Sequence, residues 1–184
     1  MRKLSTVFLL IGVAAVLACA HPSDMTQSDP SHFEVAIPAG WQKHTTNKFF
    51  LIYKKDPLRQ YILAQERPLD KPFKFSKKSL TAGMPSQEVA TVVIDELRSD
   101  KQLLNLVVIE SAPVTIKGND GCRILFTYGL GDGLNYKTLY LGFIRDASYV
   151  SLRLNVAADK DFDRNMQAFN EVVDSIRFLV AGPV

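Results

Sequence analysis

Histidine and cysteine are nearly missing from this chain, which carries three of the first and two of the second among 184 residues. His21 and His32 fall in or beside a polar N-terminal stretch, so His44 alone lies in the part that reads as folded. A Ser-His-Asp or Cys-His nucleophile needs a base held in place, and one early histidine argues against either. No His/Cys group has zinc-ligand spacing, and no Gly-x-Ser-x-Gly elbow occurs. Paired carboxylates stay open as a route to catalysis, but Asp95-Glu96 and Asp161/Asp163 sit on predicted helices, where capping and solvated-face roles prevail. The expectation is no catalytic residue, no metal site and no cofactor.

The chain also lacks an apolar run long enough to cross a bilayer as a helix. Leu4–Leu17 is apolar except for Ser5 and Thr6, and it falls short of the about 20 residues that a roughly 30 Å hydrocarbon core requires. With Arg2 and Lys3 in front, it reads as a secretory signal peptide over residues 1–18. Val16-Leu17-Ala18-Cys19 resembles a bacterial lipobox. That resemblance implies that the Cys19 thiol is acylated with palmitate-type chains and becomes the new N-terminus. Two or three such chains give stable anchoring, since each buried methylene contributes about 0.8 kcal/mol. Ala20 follows the cysteine where an aspartate would favour inner-membrane retention. By analogy the protein is expected at the outer membrane, facing the periplasm. Residues 19–32 then form the lipidated cysteine and a polar, proline-bearing tether.

Charge of one sign is not in excess. The formal net charge is +3, but Arg2 and Lys3 leave with the signal, so the mature chain has twenty Lys/Arg against nineteen Asp/Glu. A globally basic nucleic-acid binder is not indicated. With Cys19 on lipid, Cys122 has no partner, so no disulfide framework exists. Cys122 fits best as a small apolar residue on a strand's inner face.

What is present reads as one α+β domain over residues 33–180. Phe33–Ile37 alternates as a half-buried strand, Pro38-Ala39-Gly40 ends it, and Trp41 is placed to cap the core. Lys48–Lys54 and Gln60–Gln65 read as strands around a Lys55-Asp56-Pro57 turn, and residues 68–78 as an exposed loop. A helix is predicted over Pro85–Arg98, with Val89, Val93 and Leu97 as its buried stripe. Leu103–Glu110 and Val114–Lys117 read as short strands broken at Pro113. Alternation at Cys122/Ile124/Phe126/Tyr128, Leu139/Leu141/Phe143 and Val150/Leu152/Leu154/Val156 predicts an antiparallel meander. Gly129–Gly133 fits a hairpin linker rather than a phosphate loop, because a strand and not a helix follows it. The closing helix is predicted from Lys160 to Phe178, with Phe162, Met166, Phe169, Val173 and Ile176 inward and Asp159, Asp161 and Asp163 at its N-terminus.

Charge is uneven within that domain. Lys43–Lys78 holds ten Lys/Arg against three Asp/Glu, whereas residues 79–184 hold ten against thirteen. Lys71, Lys74, Lys77 and Lys78 sit together on the proline-bearing loop and are the candidate surface for an anionic partner.

Phe33-x-Val35-x-Ile37-Pro38-x-Gly40-Trp41 near the start and Phe169-x-x-Val172-Val173-x-Ser175-Ile176-x-Phe178 at the end resemble the PsbP/Mog-like fold, which includes DcrB-type bacterial lipoproteins. The likeness extends over most of residues 33–179. It implies an antiparallel sheet flanked by helices and proteins that mostly bind partners rather than catalyse. Both motifs read as structural and carry over no functional residue. Residues and resemblance together predict a non-catalytic, lipid-anchored binding or accessory protein of the cell envelope, engaging an envelope protein or anionic polymer. Two other classes stay open. One is a small-molecule or lipid carrier, holding its ligand between sheet and helix near Tyr128, Tyr136, Tyr140 and Tyr149. The other is an envelope hydrolase.

Overall fold

A computed structural model of the chain describes residues 32–46, 49–55, 59–157 and 162–179. Its elements in chain order are β1 (Phe33–Glu34), β2 (Gln42–Thr45), β3 (Phe49–Tyr53), β4 (Gln60–Pro68), α1 (Ser86–Ser99), β5 (Leu104–Ile116), β6 (Asn119–Gly129), β7 (Asn135–Arg145), β8 (Ser148–Ala157), α2 (Phe162–Ser175) and β9 (Arg177–Phe178). The readings for the signal segment, Cys19, the tether, Lys48, Asp56-Pro57 and Asp159–Asp161 lie outside the described residues.

Seven strands form one antiparallel sheet in the order β2-β3-β4-β8-β7-β6-β5. Strand alternation sorts its side chains by face. On β8, Val150, Leu152, Leu154 and Val156 point one way, into a core shared with Phe162, Phe169 and Val172 of α2. Tyr149 points the other way, into a second core with Cys122, Ile124 and Phe126 of β6 and with Val89, Ala90 and Val93 of α1. Each fully buried aromatic or aliphatic side chain contributes about 1.5–3 kcal/mol, and the α2 side holds Phe33, Phe50, Phe143 and Phe169 at 0% exposure. An antiparallel sheet with a helix on each face is thus the architecture, in line with the flanked sheet that the PsbP/Mog-like resemblance implies.

Several boundaries differ from expectation. The entry strand stops at Glu34, and it pairs with β9 in a separate two-stranded sheet instead of joining the main one. The reason lies in the two end motifs, which close on each other. Phe33 pairs with Phe178, and the Ala36 N–H donates to Ser175 Oγ at 2.8 Å. The closing helix accordingly ends at Ser175, and Phe178 belongs to β9. Its buried face is Phe162, Asn165, Phe169 and Val172, with Met166 and Val173 only partly covered.

Pro38–Trp41 is a turn, closed by the Trp41 N–H on the Pro38 carbonyl at 3.1 Å and needing Gly40 at φ +77°. Strand β2, which includes His44, had no sequence reading. Its residues are exposed or half-buried, so the period-two signal is faint. Strand β5 runs unbroken through Pro113 for 13 residues. It is the sheet's edge, and half of an edge strand's N–H groups have no ladder partner, so a proline fits there.

Candidate ligand-binding site

Helix α1 packs over β5, β6 and β7 and leaves the same face of β4 and β8 without a helix above it. There the outward positions are mostly polar: Gln65 and Arg67 on β4, beside Leu63, and Ser151, Arg153 and Asn155 on β8. The segment between β4 and α1 crosses above them. Between that roof and the sheet lies a cavity of about 360 Å³.

Residues 68–78 form a mostly exposed loop, as expected, and this roof is pinned in place. Leu69 and Leu80 are buried at its two ends. The Leu69 N–H donates to the Ala147 carbonyl at 3.1 Å, and the Phe73 N–H to the Lys78 carbonyl at 2.7 Å. The carboxylate of Glu96 on α1 accepts the N–H groups of Phe75 and Ser76 at 3.0 and 2.7 Å. Its neighbour Asp95 pairs with Lys78 Nζ at 2.5 Å. Asp95 and Glu96 are therefore clamps for the segment, a role their helical position did not reveal.

This geometry separates the four lysines of the predicted basic surface. Lys71 and Lys74 line the cavity, with the Lys74 ammonium 4.7 Å from the centre of the Phe75 ring. Lys78 is taken up by Asp95. Lys77 does not line the cavity and occupies the left-handed backbone region at φ +60°.

The polar floor is built from buried hydrogen-bonding groups. Asn155 and Thr138 are 2% and 1% exposed. Asn155 Oδ1 accepts the Tyr128 hydroxyl at 2.7 Å and the Thr138 hydroxyl at 2.5 Å. The Tyr140 and Tyr149 hydroxyls share a bond of 3.0 Å. Burial pushes the Tyr140 phenol up to about 12 and the Tyr149 phenol well above its ordinary value, so both stay protonated donors at neutral pH. Of the four tyrosines considered for a carrier, Tyr128, Tyr140 and Tyr149 line the cavity. Tyr136 instead stacks on Tyr128 at 5.4 Å and donates to Asp132.

Two guanidiniums flank the centre of the floor. Arg67 donates to the Lys71 carbonyl and lies 4.0 Å from the centre of the Phe73 ring. Burial pushes its pKa down, opposed by the nearby Tyr140, Glu96 and Tyr149. Arg153 sits over Tyr61, its guanidinium carbon 5.8 Å from the ring centre. Its Nε is buried and has no hydrogen-bond partner among the described residues. Neither arginine was singled out from the sequence. The available signal was an arginine at an alternating position between the apolar residues Leu152 and Leu154, where the other face of the strand is also covered.

Cys122 is fully buried, and burial pushes its thiol up to about 11, which makes it a packing residue and a poor nucleophile. Among the described residues, no group of His, Cys, Asp and Glu is arranged to hold a metal ion. No described helix is long and apolar enough to cross a membrane.

The seven-stranded antiparallel sheet, its helices on opposite faces and the β1–β9 closure define a PsbP/Mog-like α+β fold. No protein-family model and no curated protein sequence matches the chain. Solved structures do. The cyanobacterial PsbP protein CyanoP of Synechocystis sp. PCC 6803 superposes with a TM-score of 0.57 at 13% identity, over 80% of this chain and 86% of its own. LpqN, a protein involved in cell envelope biogenesis of Mycobacterium tuberculosis, gives 0.56 at 16% identity, over 80% and 83%. The Ran-binding protein Mog1p of Saccharomyces cerevisiae gives 0.55 at 9% identity, over 80% and 90%. At these identities the likeness is one of fold.

Proposed function

We propose that this chain is a non-catalytic, lipid-anchored binding protein of the bacterial cell envelope. It is tethered through Cys19 and takes a small molecule, or a small group presented by an envelope partner, into the cavity between α1 and the sheet. The cavity carries this reading. It is concave, walled by aromatic and aliphatic side chains, and floored by a few convergent polar groups, the usual make-up of a ligand site. Among the similar structures, the Ran-binding protein supports the binding role and LpqN, involved in cell envelope biogenesis, supports the envelope setting. The lipobox at Val16–Cys19 supports the anchor.

In this reading Lys71 and Lys74 draw anionic groups toward the cavity, while Lys77 and Lys78 contribute only to the surrounding field. The placement at the outer membrane, facing the periplasm, rests on Ala20 after the cysteine. The test is in-cell photo-crosslinking from position 74 in the full chain and in Cys19→Ala, followed by purification and mass spectrometry. A recurrent adduct from the full chain that is lost with the membrane attachment in Cys19→Ala supports the reading. The same adducts from Cys19→Ala would show that the anchor plays no part.

A further inference from the structure

We infer that the cavity is an anion site: its ligand is a small organic acid, a carboxylate or phosphate monoester on an apolar body, gripped by Arg153 and Arg67. This rests on the cavity being a ligand site and adds the chemistry of what enters it.

The charge on the walls points that way. Four cations line the cavity, Arg67, Lys71, Lys74 and Arg153, against two carboxylates, Glu96 and Asp100. Both carboxylates hold backbone N–H groups, and Glu96, though it acts on Arg67 through its charge, forms no ion pair with it. Glu96 accepts the Phe75 and Ser76 N–H groups, and Asp100 Oδ1 accepts the Gln102 N–H at 3.0 Å. Neither Arg67 nor Arg153 has a carboxylate partner among the described residues. A buried donor left unbonded is costly, so the Arg153 Nε calls for an acceptor that the described protein atoms do not supply.

Register fixes the spacing of the two arginines. Arg67 lies opposite Tyr149, and Arg153 opposite Leu63, with Gln65 and Ser151 paired between them. Four residues of strand separate the two rows, or about 13 Å between the backbone positions. Two long side chains entering one cavity from its two ends can close on an anion held above Gln65 and Ser151. The forked, planar guanidinium suits a carboxylate or phosphate bidentately. Opposite this floor, between the charged Lys71, Lys74, Glu96 and Asp100, the walls present an apolar surface of Phe73, Phe75, Val93, Leu97 and Leu103. The ligand therefore has two ends of unlike polarity. The volume, at the small end of ligand pockets, sets a limit on its size.

The test uses the full-length lipidated chain in nanodiscs of zwitterionic lipid and a matched pair of probes. These are 1-naphthaleneacetate and its neutral isostere 1-naphthaleneacetamide, titrated by calorimetry. Charge-assisted bonds from these half-buried guanidiniums predict that the acid binds about tenfold more tightly than the amide. Arg153→Gln and Arg67→Gln should each abolish that preference, and Arg153→Lys should keep part of it. If a floor variant fails to fold, as its thermal melt would show, Lys71→Gln and Lys74→Gln at the rim should still weaken the acid a fewfold and leave the amide unchanged. Displacement of the acid by discs containing phosphatidic acid, whose headgroup is a phosphate monoester, supports the site with a lipid headgroup as occupant, and retention supports it with a free acid. Equal binding of acid and amide overturns the anion site but leaves the cavity a ligand site. An acid preference that survives both arginine variants overturns the assignment to these side chains. No binding of either probe overturns this inference and the ligand-site reading together.

Discussion

Gly142 on β7 supports the cavity floor from behind, and Gly142→Ala should damage it in a calculable way. A Cβ at this position would lie 1.9 Å from the Tyr149 hydroxyl, 2.6 Å from its ring carbon Cζ and 3.0 Å from Cε1 of Tyr140. Tyr149 is 1% exposed and cannot swing into solvent. The methyl group must therefore displace the Tyr149 ring, which strains or breaks its hydroxyl bond to Tyr140. Overpacking of a well-filled core costs typically about 1–3 kcal/mol. A buried hydroxyl left unpaired adds about 1–3 kcal/mol. Against this, alanine restricts the unfolded chain and returns about 0.4–1 kcal/mol. The net loss is about 3 kcal/mol, which for a chain of this size lowers Tm by about 6–12 °C. Urea and thermal unfolding followed by Trp41 fluorescence measure it. Gly131→Ala is the control, because nothing lies within 4 Å of its Cβ, and it should stay within about 0.5 kcal/mol of the parent. A Gly142→Ala protein melting within about 2 °C of the parent would refute the packing of the Tyr140–Tyr149 pair onto the β7 backbone.

Other outcomes follow from the same structure. Tyr128→Phe removes one of two donors to Asn155 and should cost about 1 kcal/mol in urea unfolding, whereas Asn155→Ala strands two buried hydroxyls and should cost about 3 kcal/mol. The ordinary values of Cys122 and Tyr140, 9.0 and 10.0, are raised in the folded state to about 11 and about 12, chiefly by burial. The folded state thus holds these protons after the unfolded chain has released them. The stability involved is intact below about pH 9 and is lost progressively as pH rises through the folded values. The urea midpoint should accordingly fall between about pH 9 and pH 12, and a flat profile there would contradict the burial. Cys122 should resist a water-soluble thiol reagent at about pH 8 until the protein is unfolded, and prompt native-state labelling would contradict its packing role. Glu96→Gln weakens the clamp on Phe75 and Ser76, so amide exchange at those two residues should quicken.

The sequence made the sheet and both helices readable because their periodicities are strong and their faces uneven. The meander through Cys122, Leu139 and Val150 stood out because its strands carry long apolar alternations, and the structure covers both of their faces with cores. The same logic failed at β2, where half-exposed residues such as His44 leave no contrast between faces. It failed again at Pro113, because only the fold shows that β5 is an edge. The cavity was harder still. Its lining comes from β4, the following segment, α1, β6, β7 and β8, so no window of the chain contains it. Lys71 and Lys74 were visible as a basic cluster, but their parting from Lys77 and Lys78 depends on Asp95 and on the path of the roof. Arg67 and Arg153 looked like ordinary strand arginines, and their importance comes from what sits above them.

Native mass spectrometry of the protein, gently extracted from its own membrane, reads anchor and ligand in one spectrum. The expected species is a chain beginning at acylated Cys19 that carries a non-covalently held small acid, and Arg153→Gln should release that ligand while keeping the acyl mass. A chain without acylation, or an acylated chain whose cavity is empty in every preparation, would contradict that expectation.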